Sequence, residues 1–92
     1  VIVKLFASLR ITGMSDRIEI HVGPDATVAH ALELLFAHAP SLREEIMTAD
    51  GLALQPHINV MVKGRLIRDL QGLQTPVTND VALSIFPPVA GG

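Results

Sequence analysis

An α+β fold, with one mixed sheet covered on one face by a single main helix, is predicted by three features of this sequence. Strand-like alternation recurs near the start, in the middle and at the end of the chain. One amphipathic helical stretch lies between the strand pairs, and the elements follow the order β-β-α-(short α)-β-β-β. Sequential elements usually pack as neighbours with right-handed crossovers, so this order is satisfied most simply by one sheet and one helix. At 92 residues and 49% hydrophobic content, the chain suits one domain with one core.

Over residues 1–7, Val1, Val3, Leu5 and Ala7 alternate with Ile2, Lys4 and Phe6, the pattern of a strand with two partly buried faces. Residues 8–15, which include Gly13, read as a loop. From 17 to 22, Ile18, Ile20 and Val22 face one way while Arg17, Glu19 and His21 face the other, so the two segments can form an opening hairpin.

Gly23-Pro24-Asp25 breaks that strand, and Asp25 or Thr27 can cap the next element by accepting from an orphan N–H. Val28, Ala31, Leu32, Leu35 and Ala39 then fall on one helical face, which Leu34 and Phe36 widen. Pro40 ends the helix. Ser41-Leu42-Arg43-Glu44 has the spacing of a capping box for a short helix to about Met47.

After turn residues Asp50-Gly51 and Gln55-Pro56, Ile58, Val60 and Val62 alternate with Asn59, Met61 and Lys63. Lys63-Gly64 can turn the chain into Arg65-Leu66-Ile67, giving a second hairpin. Leu70 and Leu73 are apolar anchors in an irregular stretch, and residues 81–86 form the final strand.

Composition narrows the chemistry. Without cysteine there is no disulfide, no thiolate nucleophile and no thioester on a side chain of this chain. A net charge of -2 with scattered cations, three Phe and neither Trp nor Tyr argues against a nucleic-acid partner. No apolar run approaches a membrane span and nothing resembles a signal peptide, so the expectation is a soluble cytoplasmic protein without a membrane partner.

His21, His30, His38 and His57 do not recur at metal-ligand spacing, so no metal site is expected. Glu44 and Glu45 diverge around a helix and do not read as an acid/base pair. No phosphate-cradling glycine loop is present, so the chain is not expected to bind a nucleotide or any other cofactor itself. Lys4, Lys63, Arg65 and Arg68 read as solvated cations that can also meet a partner.

The ending carries the strongest functional signal. After Leu83-Ser84-Ile85-Phe86 come Pro87-Pro88-Val89-Ala90 and a final Gly91-Gly92. Proline fixes φ and lacks an N–H, so the chain is expected to leave the sheet as a stiff stalk. Glycine lacks a Cβ, so the last two residues can thread a channel closed to larger side chains. The expectation is a domain over residues 1–86 and an extended tail over 87–92, whose terminal carboxylate can be delivered into another protein's active site. Small residues are also common at frayed ends, which leaves an interaction module with an inert tail as the plain alternative.

These residues resemble the ubiquitin-like β-grasp sulfur carriers of the MoaD/ThiS-like type, most closely the small subunits of molybdopterin synthase. Lys4-Leu5-Phe6-Ala7-Ser8-Leu9-Arg10 is similar to that family's first strand, Asn59-Val60-Met61-Val62-Lys63-Gly64 to its middle hairpin, and Phe86 to Gly92 to its characteristic ending. The resemblance implies a ubiquitin-like β-grasp fold and a chain that is not an enzyme alone but the sulfur-donor subunit of a sulfurtransferase complex in molybdenum cofactor biosynthesis.

On that implication a ubiquitin-activating-type adenylyltransferase (MoeB type) uses ATP to adenylylate the Gly92 carboxylate, and a sulfurtransferase converts it to a thiocarboxylate. The large synthase subunit (MoaE type) then receives the tail and uses the sulfur to build the dithiolene of molybdopterin. Gly91, Ala90, Val89, Pro88 and Pro87 thread or set the reach of the tail, and Phe6, Arg10 and Phe86 are partner-binding candidates. The stretch Val77-Thr78-Asn79-Asp80-Val81-Ala82 departs from the acidic, glycine-containing turn of many relatives, which puts any contact there in doubt. The chain begins at Val1, and a trimmed natural N-terminus is the expectation.

Two other fates share the adenylate. The thiocarboxylate can feed thiamin, cysteine, thiolated-tRNA or tungsten-cofactor synthesis, or Gly92 can be amide-linked to lysines, as in ubiquitin-like protein modifiers.

Overall fold

Apolar alternation builds the sheet from both ends of the chain inward. The computed structural model describes residues 1–5 and 17–86. Its strands are β1 (Ile2–Leu5), β2 (Arg17–Glu19), β3 (Asn59–Val62), β4 (Arg65–Leu66) and β5 (Ala82–Phe86), and its helices are α1 (Val28–His38) and α2 (Leu42–Ile46). The sheet order is β2-β1-β5-β3-β4. β5 is therefore central, parallel to β1 and antiparallel to β3. The expected hairpins β1–β2 and β3–β4 are both antiparallel.

One face of the sheet is the core. Val3, Leu5, Val60, Val62, Leu83 and Ile85 are all buried, as are Val28, Ala31, Leu32, Leu35 and Phe36 of α1. Each of the larger aliphatic side chains contributes about 1.5–3 kcal/mol by leaving water, before conformational entropy is counted. Leu34 departs from expectation: it is 40% exposed, because it lies beyond the edge of the stripe that meets the sheet.

Thr27 caps α1, and His30 completes the cap: the Thr27 N–H donates to His30 Nδ1 at 3.1 Å. The helix start is tied to the chain ahead of β5 by Val28 N–H to Thr75 O (2.9 Å) and Val77 N–H to Ala26 O (3.0 Å).

The second capping box does not form. Ser41 is already helical (φ -63°, ψ -22°) and makes no side-chain cap, because Leu42 and Arg43 donate back to the carbonyls of Ala39 and Pro40. The tight turn after α1 thus satisfies the first two N–H groups of α2, those of Leu42 and Arg43. β2 is shorter than the expected 17–22. Beyond Ile20, whose N–H donates to Val1 O, Val22 is held by the Asn79 side chain, donating to Oδ1 at 2.8 Å and accepting from Nδ2 at 3.0 Å.

At the tip of the second hairpin Lys63 and Gly64 both take positive φ, 54° and 76°. Two such residues give the turn whose twist matches the flanking strands. Ile67 does not extend β4. It begins a 3-10 turn, Ile67–Asp69, followed by another at Gly72–Gln74, so the stretch expected to be irregular is partly ordered. Among the described residues no helix is long and apolar enough to cross a membrane.

Candidate functional site

The end of the central strand is the described part of the site. β5 finishes at Phe86, half-buried and paired with Asn59 of β3. On its other side Ile85 is opposite Leu5, the last residue of β1. Because β1 and β5 are parallel, Leu5 and Phe86 finish at the same end of the sheet, on adjacent strands. The candidates Phe6, Arg10, Pro87, Pro88, Val89, Ala90, Gly91 and Gly92 lie outside the described residues.

Phe86 belongs to the sheet face turned away from α1. Residues directly opposite on paired strands share a face, so the registers assemble that surface: Arg17, Lys4, Ser84, Met61 and Leu66 form one row, and Glu19, Ile2 and Ala82 the next. Ile2 is 40% exposed and Met61, Leu66 and Phe86 are half-buried. Among the described residues the face thus mixes the apolar Ile2, Met61, Leu66 and Phe86 with the charged Lys4, Arg17 and Glu19.

Ile2, Met61 and Leu66 were not singled out as site residues from sequence. The signal was present in their period-two positions, but the strand pairing that unites them is non-local. Lys63 and Arg65, considered with Lys4 as a docking set, are instead exposed at the tip and edge of the β3–β4 hairpin. Arg68 is exposed in the 3-10 turn that follows.

Among the described residues, three exposed carboxylates and Arg43, the partner of one of them, are shifted from their ordinary values. The Thr78 hydroxyl, donating to Asp80, is the main reason that carboxyl sits below its usual value, with Lys63 a smaller cause. Asp50 is lowered first by the Thr48 hydroxyl and then by the Leu52 N–H. Glu33 is lowered first by its paired hydrogen bonds from Arg43, at 2.9 and 3.3 Å. No group of three or more His, Asp or Glu among the described residues is placed to hold a metal ion. An open cavity of about 570 Å³ beside α2 is lined by Arg43, Glu44, Met47, Thr48, Ala49, Asp50, Gly51 and Gln55. Phe86 and the outer sheet face take no part in it.

The described residues place the end of β5 in the interior of the sheet, between β1 and β3, with Phe86 on the face turned away from α1.

Known proteins share the arrangement. A model of the ThiS family matches residues 3–92. Over 89 residues the chain is 37% identical to small archaeal modifier protein 3 of Haloferax volcanii, covering 97% of this chain and 95% of that protein. Its fold matches the crystal structure of SAMP1 from Haloferax volcanii with a TM-score of 0.86 at 35% identity, over 99% of this chain and 97% of that one. It also matches a chain of the Amycolatopsis orientalis BexX/CysO complex with a TM-score of 0.84 at 28% identity, over 99% and 98%.

The ubiquitin-like β-grasp fold follows from these likenesses and from the sheet order. The broader part of the expected resemblance therefore holds, while these relatives are archaeal modifiers and a CysO-complex chain rather than molybdopterin synthase subunits. With its sheet, helix and Gly-Gly ending matched along nearly its full length, the chain belongs to the ThiS family of ubiquitin-like sulfur carriers.

Proposed function

We propose that this chain is a ubiquitin-like protein modifier whose Gly92 carboxyl group is activated by a partner enzyme and amide-linked to lysines of other proteins. The observation that carries the reading is its likeness to a small archaeal modifier protein over 97% of this chain, beside the chain's own Gly91-Gly92 ending.

A carboxylate is a poor electrophile, so it must first gain a leaving group. In the active site of an adenylyltransferase, a Gly92 oxygen attacks the α-phosphorus of ATP and pyrophosphate departs. A neutral lysine amine then attacks the acyl carbon of the adenylate: the C–N bond forms, the C–O bond to AMP breaks, and the amine loses a proton. This chain supplies the carboxylate, the reach and the docking face. Ile2, Met61, Leu66 and Phe86 bury apolar surface against the activating enzyme, while Lys4 and Arg17 favour an acidic rim on it.

A second reading is favoured by the ThiS family match and by the likeness to the CysO-complex chain. A sulfurtransferase displaces AMP with sulfur, and the resulting thiocarboxylate serves as a soluble sulfur donor. Molybdopterin synthesis with a MoaE-type large subunit is one destination of that sulfur, supported by the Phe86-Pro87-Pro88-Val89 lead-in.

Cells producing the chain with its activating enzyme separate the two fates. Modification gives high-mass conjugates that react with an antibody to this chain and carry Gly92 on lysine side chains in peptide mass spectra. A thiocarboxylate at Gly92 without any conjugate would overturn the modifier reading in favour of the sulfur-carrier reading.

A further inference from the structure

The outer sheet face carries a charge that its own chain leaves unmatched. Lys4 and Ser84 are directly opposite on the parallel strands β1 and β5, and both are half-buried. Paired strands lie about 4.8 Å apart, so the two side chains rise from the sheet as neighbours. Among the described residues the Lys4 ammonium has no ion pair and the Ser84 hydroxyl no hydrogen bond. Glu19, the carboxylate that the registers place on this face, is exposed on β2 opposite Ile2, one row away.

Most of what surrounds the pair is apolar. Met61 follows Ser84 along the row, Ile2 and Ala82 stand in the row on one side, and Phe86 lies beyond the other. Lysine lays its carbon stem along such surface and keeps its ammonium in water. A partner seated on this face removes that water.

An ammonium left unpaired then loses its hydration without compensation, whereas a carboxylate facing it restores the lost interactions in a medium that strengthens them. Ser84 adds a hydroxyl beside the ammonium, and a carboxylate has two oxygens, one for each donor. An amide or a backbone carbonyl on the partner would match the hydroxyl but leave the charge of Lys4 unbalanced.

We propose that Lys4 and Ser84 together form the receptor for one Asp or Glu side chain of the activating enzyme, and that this contact selects which enzyme accepts the chain. The inference rests on the outer face being the docking surface described above. Burial of Ile2, Met61 and Phe86 gives adhesion to any apolar partner. The carboxylate contact supplies discrimination, because a partner with a neutral or basic side chain there leaves Lys4 dehydrated and unpaired.

The test measures exchange of labelled pyrophosphate into ATP by the activating enzyme against the concentration of wild type, Lys4→Met, Ser84→Ala, the double variant and Lys4→Arg. Methionine keeps most of the lysine stem and removes the charge. All variants should melt with the wild type, since neither side chain is bonded to a described residue. Lys4→Met should raise KM about tenfold and Ser84→Ala about threefold, with the loss carried by KM rather than kcat. Both donors serve one carboxylate, so the double variant should resemble Lys4→Met alone. Lys4→Arg should stay within about threefold of wild type, and the rise of KM with salt should flatten in Lys4→Met.

An unchanged KM in Lys4→Met would overturn the proposal, as would Lys4→Arg losing as much as Lys4→Met or a salt dependence that Lys4→Met leaves unaltered. Losses that multiply in the double variant would mark two separate contacts and overturn it too, and so would a loss carried by kcat. If Met61→Glu raises KM while Lys4→Met does not, this inference alone fails and the docking face stands. A KM indifferent to both Met61→Glu and Lys4→Met would overturn the docking face and the inference together.

Discussion

At the scale of single residues, the proposed function divides the work between Gly92, as the reacting group, and a few side chains on the outer sheet face, as the docking surface. Met61 tests this division well. It is half-buried in the middle of that face, in register with Ser84 and Leu66, and its strand neighbours Val60 and Val62 fill the core instead. Met61→Glu should leave thermal melting nearly unchanged and raise the activating enzyme's KM for the chain about tenfold, equivalent to about 1.4 kcal/mol of binding. Steady-state kinetics beside a melting curve check it. An unchanged KM would remove Met61 from the docking face. The sequence alone points to the Gly92 end, because proline and glycine have fixed backbone consequences wherever they stand. The docking face was legible only in part: Phe86 was found beside the tail, whereas Ile2, Met61 and Leu66 become neighbours only when β5 is inserted between β1 and β3.

At the scale of elements, the β3–β4 hairpin and α1 carry separate predictions. Gly64 has φ 76°, where a side chain is strained although space is open. Gly64→Ala should therefore cost about 1–2 kcal/mol. A 1 kcal/mol loss lowers the melting temperature of a domain this size by about 4–8 °C. An unshifted melt would contradict the left-handed turn.

Between α1 and α2, Glu33 and Arg43 form an exposed ion pair that lowers the Glu33 carboxyl below its ordinary 4.5. A depressed carboxyl stabilises the fold above its unfolded-state value and loses that contribution as pH falls through the folded one. Wild type should therefore melt slightly above Glu33→Gln near pH 6, and the gap should close in the acid range below 4.5. Paired melting curves across that range check it, with only a small gap expected because surface pairs are weak. Both helices and the turn at Lys63-Gly64 were visible in periodicity and turn chemistry, which are local. Ser41 was misread because its capping spacing carries no information about the preceding turn, which holds its backbone helical rather than extended.

At the scale of the whole molecule, the first and last strands lie side by side in the centre of the sheet, and the last runs straight into the tail. No local pattern encodes that parallel β1–β5 pairing, which joins the two ends of the chain. Element order pointed only to one mixed sheet and left this pairing unspecified. Its consequence is mechanical: the tail is anchored by a strand hydrogen-bonded on both sides, so chemistry at Gly92 is expected to be independent of the core. Deleting Gly92 should leave circular dichroism and melting unchanged. The most direct measurement is exchange of labelled pyrophosphate into ATP by the activating enzyme, with the full chain and with the Gly92-deleted chain. The account predicts exchange that requires the full chain and disappears with the deletion. Exchange undiminished by the deletion, or none above the enzyme alone in a preparation active on another carrier, would contradict it.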